Sequence, residues 1–80
     1  MSWNVYFEQP FRAWVAGASP DNATIDAVSL WVTMAEIDGP PDNAQLVRGD
    51  LFWAPVPDTS VRVEFLAVAQ DRLIIVKAFG

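Results

Sequence analysis

Residues 61–79 read VRVEFLAVAQDRLIIVKAF, and the fold follows from how they are parsed. Val61, Val63, Phe65, Ala67 and Ala69 fall on one face of an extended chain, and Arg62, Glu64, Leu66 and Val68 fall on the other. A period of two is the signature of a strand with one face on a core. Ala69-Gln-Asp-Arg72 supplies a turn, with Asp71 suited to it and no glycine to mark its type. Leu73-Ile-Ile-Val76 is a continuous, mostly β-branched run, which predicts a strand buried on both faces. A hairpin this apolar is not stable alone, so the rest of the chain must cover it.

The cover is readable in order. Met1 to Glu8 alternates Trp3, Val5 and Phe7 with polar residues and reads as a strand, ended by Pro10. Residues 11–16 have roughly helical period, with Phe11, Trp14 and Val15 on one side and Gly17 as the expected C-cap. Ser19-Pro20-Asp21 predicts a helix start, with Ser19 as cap and Pro20 in the first turn. Ile25, Val28, Val32 and Ala35 form the stripe of this main helix, and Leu30, Met34 and Ile37 widen it. Val28 and Val32 are expected in the core, with Trp31 at its margin. Gly39-Pro40-Pro41 stops the helix. Short strands are expected at 45–48 and 50–54, around Gly49, before the Pro55-Val-Pro57 break. The order is a strand, two helices, then three or four antiparallel strands; strands grouped after helices mean α+β, in one domain over residues 1–80.

Composition limits the chemistry. The 80 residues are 52% hydrophobic, enough to pack a core near the lower size limit for independent folding. With no Cys or His, disulfides, ordinary zinc sites, a His base and a Cys nucleophile are all excluded. The trio Asp38, Asp42 and Asp50 flanks a turn and reads as a solvated rim rather than a cation site. No cofactor or metal is expected. The formal net charge of −5 opposes free nucleic-acid binding. There is neither a signal-peptide pattern nor an apolar run of membrane-spanning length, so the expected location is the cytoplasm.

Several fragments, in order and spacing, resemble the RelE/ParE superfamily of small bacterial and phage toxins, and especially its phage-derived, HigB-like branch. They are Trp3-Asn-Val-Tyr-Phe7 with Phe11 and Trp14, the helix end Ile37-Asp-Gly39-Pro40, and Leu46-Val-Arg-Gly49-Asp-Leu51-Phe52. Val61-Arg62-Val63-Glu64-Phe65 and Ile74-Ile-Val-Lys77-Ala-Phe79 complete the set. The resemblance implies two N-terminal helices on one side of a small twisted antiparallel sheet, and an antitoxin partner. It also implies a host target: the ribosome for nuclease members, DNA gyrase for ParE-like ones.

The resemblance places Arg62 at the arginine that contacts the scissile phosphate in nuclease members, a role suited to its forked, permanent charge. Lys77 stands where HigB-like members often carry His. The alternative readings are a solvent-face Arg62 paired with a carboxylate, and a strand-edge Lys77 that discourages sheet association. Phe52-Trp53-Ala54 lacks the carboxylate and basic residue of the family's Y-E-L-R text, and no basic tail follows Phe79. The expectation is therefore binding with a degenerate nuclease site. Trp53, with Phe52 and Leu66, is the candidate partner-binding group, for a host protein, an antitoxin or a second copy of the chain. The competing reading covers these residues with the second helix, the N-terminal segment or a crystallographically related copy of the chain. An active ribosome-dependent messenger ribonuclease and a non-toxic phage structural or regulatory protein are the other functions weighed.

Overall fold

The computed structural model describes residues 2–80; Met1, the expected start of the first strand, lies outside the described residues. The order is β1 (Asn4–Phe7), α1 (Phe11–Ala18), α2 (Asn22–Asp38), β2 (Gln45–Arg48), β3 (Leu51–Pro55), β4 (Arg62–Val68) and β5 (Leu73–Phe79). The strands form one sheet in the order β1-β5-β4-β3-β2, with two helices packed on it.

The hairpin read from residues 61–79 is there: β4 and β5 pair antiparallel, Val68 opposite Leu73. The turn closes with Arg72 left-handed at φ 49° and its N–H donating to the Ala69 carbonyl at 3.2 Å. Val63, Phe65, Ile74 and Val76 are fully buried on the helix side.

Three features correct the sequence reading of the sheet. First, β1 pairs parallel with β5, Val5 opposite Ile74, so the sheet is mixed. Alternation marks which residues of β1 face inward; it says nothing about which way the strand runs. Second, Leu73 and Ile75 are only half-buried, because the helices cover one face alone. Third, Glu64 and Phe65 on β4 oppose Ala78 and Val76 on β5, which leaves Lys77 as an inserted, bulged residue. The bulge lets Val76 and Phe79, three apart, both enter the core.

The helices meet the sheet through two aromatic groups. Phe79 lies against Trp14 at 5.1 Å between ring centroids, Phe11 at 6.0 Å and Phe7 at 6.2 Å. Phe65 lies against Trp31 at 5.5 Å and Phe52 at 5.8 Å. The buried side of α2 is Val28, Trp31 and Ala35, with Val32 only partly covered. Trp31 is thus core rather than margin: its ring fills the space over Phe65 and turns Leu30, Met34 and Ile37 outward to solvent.

The helix ends also differ from expectation. Gly17 lies within α1, and Ser19 closes that helix in the left-handed region at φ 47°, donating its N–H to the Val15 carbonyl. A residue before proline is disfavoured in the helical region, so Ser19 leaves the helix rather than starting the next. Asp21 caps α2 instead, its carboxylate accepting from the Thr24 N–H at 2.8 Å. Gly39 ends α2 at φ 81° and ψ −160°, a region essentially closed to other residues. A Cβ there would sit 2.6 Å from the Trp3 indole, so the helix stop and the first strand's packing share one glycine.

Candidate functional site on the outer sheet face

With the helices on one face, the other face of the sheet is left uncovered by them. The register places Tyr6, Ile75, Leu66 and Leu51 in one row across it, from β1 to β3. Val68 and Leu73 form a neighbouring pair. Leu66 is half-buried in this row, as its parity predicts. Phe52 has the opposite parity: it faces the helix side and stacks on Phe65 with an interplanar angle of 19°. It is a core-side residue, and a partner at the outer face would meet Trp53 and Leu66 without it.

Next to the apolar row the strands bring Trp53, Glu64 and Arg62 together. Trp53 is register partner of Glu64, and Arg62 lies one step further along the same face. The Arg62 guanidinium carbon is 4.1 Å from the centroid of the Trp53 ring, a cation–π geometry. The two groups line an open depression of about 560 Å³ with Val47, Glu64, Ala78 and Gly80. Arg62 is pinned at its backbone as well, since its N–H and carbonyl exchange bonds of 2.8 Å with Gly80.

Lys77 is not at a sheet edge, because β5 lies between β1 and β4. Its ammonium donates to both oxygens of Glu8, at 2.8 and 2.7 Å. Glu8 follows β1, and the parallel pairing of Phe7 with Val76 brings it alongside the bulge. The sequence reading singled out Arg62, Trp53 and Lys77 but missed Glu8, which is 69 residues away from its partner and has no local signal.

The chemistry available is therefore restricted. One guanidinium stacks on an indole beside a carboxylate, and the ammonium is matched by another carboxylate. Among the described residues no group of three carboxylates is placed to hold a metal ion. Nor, among them, is any helix long and apolar enough to cross a membrane.

The architecture is that of solved RelE structures. The chain is similar to a chain of an archaeal RelE–RelB complex from Pyrococcus horikoshii, with a TM-score of 0.72 and 19% identity over 99% of this chain and 93% of that one. It is similar to a chain of the intact E. coli RelBE toxin–antitoxin complex, with a TM-score of 0.71 and 11% identity over 99% and 95%. A mutant of E. coli toxin RelE in the free state gives a TM-score of 0.70 and 11% identity over 100% and 83%. No family model matches the sequence, and no curated protein does. The fold is RelE-like: two helices on a five-stranded mixed sheet.

Proposed function

We propose that this chain is a RelE-like toxin-type protein of a bacterium or phage, acting by protein–protein binding on a nuclease site that has lost its chemistry. One observation carries this reading: the two cations that the resemblance places at the nuclease site are already engaged, Arg62 on Trp53 and Lys77 on Glu8. A nuclease of this kind needs positioned cations for the phosphate and a group to move protons. Here the surrounding side chains are Glu64, Glu8 and an indole, with no His anywhere in the chain. The apolar row through Leu66 and the exposed depression at Trp53 instead suit a protein surface.

The resemblance of fragments in the sequence to the HigB-like branch belongs to the same reading, as do a single domain over residues 1–80 and a cytoplasmic location. An antitoxin is the first partner to seek, because similar folds occur in toxin–antitoxin complexes from E. coli and P. horikoshii. The ribosome and gyrase are the host targets to test.

Two measurements separate the readings. Ribosome-programmed messenger cleavage is compared for the wild type and Arg62→Ala, and growth is followed on induction in a bacterial host. Arrest without cleavage is the expected result. Cleavage by the wild type that Arg62→Ala abolishes would establish an active ribonuclease. Neither arrest nor cleavage would favour a non-toxic structural or regulatory protein on this fold.

A further inference from the structure

The charge of this protein is divided between its two layers. The segment 11–43, which holds both helices, carries Asp21, Asp26, Glu36, Asp38 and Asp42 with Arg12 as its sole cation. In the strands and their turns, Arg48, Arg62, Arg72 and Lys77 are offset by Glu8, Asp50, Glu64 and Asp71, and Asp58 adds to the acidic excess. The net negative charge is thus a property of the helix side, and the outer sheet face is close to balanced.

The same helix side carries an unusual apolar stripe. Leu30, Met34 and Ile37, spaced to share one face of α2, are 61%, 46% and 56% exposed. Beside them, between α2, the loop at 41–43 and the chain from the end of β3 to Asp58, runs an open groove of about 470 Å³ walled by Pro41, Pro55 and Pro57. A second depression of about 380 Å³ continues it toward Asp38 and Gly39. Asp38, Asp42 and Asp58 stand on the rims, and Trp31 and Met34 line both. Trp31 is 7% exposed, and its Nε1 is buried with no hydrogen-bond partner among the described residues. An unpaired buried donor is costly, and such atoms are rare in folded proteins.

We propose that this groove docks a basic amphipathic helix of a protein partner. Its apolar side would lie along Leu30 and Met34, and its Lys or Arg residues would face Asp38, Asp42 and Asp58. Helix-in-groove recognition needs an apolar track and flanking charges of opposite sign, and both are present. A second copy of the chain fits badly, because a symmetric contact through α2 would bring two sets of the same carboxylates together. Nucleic acid fits badly for the same reason of sign. The site lies on the other layer from Arg62 and Trp53, so it stands whether or not the outer face binds a toxin target.

The test uses a fluorescently labelled designed helix of Leu and Lys, with a scrambled peptide and a Leu and Glu peptide as controls. Binding is followed by anisotropy at several salt concentrations, and the four tryptophan indole N–H signals are followed by NMR. The expected result is binding of the Leu and Lys helix alone, with the Trp31 signal moving and the Trp53 signal still. Leu30→Ser with Met34→Ser should weaken it about tenfold or more, a loss of roughly 1.4 kcal/mol. Both sites are exposed, and circular dichroism checks that the fold is kept. Asp42→Asn with Asp58→Asn should weaken binding several-fold and flatten its salt dependence. Equal binding of the scrambled peptide, indifference to the Leu30 and Met34 changes, or movement of Trp53 in place of Trp31 would overturn the proposal. So would a dimer in sedimentation that the same two serines dissolve, since the chain itself would then be the occupant.

Discussion

Arg62 stacks on Trp53 across the β3–β4 pair, with its guanidinium carbon 4.1 Å from the indole centroid, although the two are not register partners. The contact is diagonal, which is within reach of a long side chain and a large ring on the same face of a sheet. It holds the one arginine that the family resemblance connects with phosphate against an aromatic surface.

A double-mutant cycle measures that contact. Arg62→Ala and Trp53→Ala, singly and together, should give a coupling of about 0.5–1 kcal/mol in urea unfolding, the range for an exposed cation–π pair. Strict additivity would mean that the arginine is held by its backbone bonds to Gly80 alone.

Gly39 should tolerate no side chain. Its backbone region costs another residue roughly 1–3 kcal/mol, before any contact is counted. A Cβ would then press on the Trp3 indole at 2.6 Å. Gly39→Ala is expected to lower stability by about 3 kcal/mol or more, at the upper end of what single changes ordinarily cost. Adding Trp3→Ala should recover none of the backbone part, so the double variant stays well below wild type. A Gly39→Ala protein with an unchanged melting temperature would contradict the assignment.

The two sides of α2 make a paired test. Val28 is fully buried and Leu30 is 61% exposed. Val28→Asp would bury an unpaired charge and should abolish cooperative folding. Leu30→Asp, two residues along, should change stability by about 0.5 kcal/mol or less. If both unfold, the helix is rotated from the position described.

These elements differ in how far the sequence disclosed them. The pairing of residues 61–79 is legible because Val63 and Phe65 keep strict parity against Arg62 and Glu64. The bulge at Lys77 is not, since an inserted residue between Val76 and Phe79 changes no composition, only phase. The orientation of α2 is misread for a related reason. Its apolar residues surround most of the helix, so periodicity cannot choose between Leu30 or Met34 and Trp31; the room over Phe65 does. At the outer face, parity already puts Arg62 and Trp53 on one side and Phe52 on the other. The pairing of Lys77 with Glu8 depends on β1 lying parallel to β5, which no local pattern encodes.

The N-cap of α2 gives the stability a defined response to acid. The Thr24 side chain, and then the backbone N–H that it donates at the cap, hold the Asp21 carboxyl below its ordinary value. A folded-state pKa below the unfolded one means that the ionised form is the one the fold favours. That contribution is fully present above the unfolded value and fades as pH falls through the folded value. Asp21→Asn keeps an oxygen acceptor without a titrating proton. Melting temperatures of wild type and Asp21→Asn should therefore converge, or cross, as pH is lowered from neutral through and below the ordinary aspartate range. Asp21→Ala should be the least stable of the three at neutral pH. A constant gap between wild type and Asp21→Asn across that range would show that the carboxylate's charge contributes nothing to the cap.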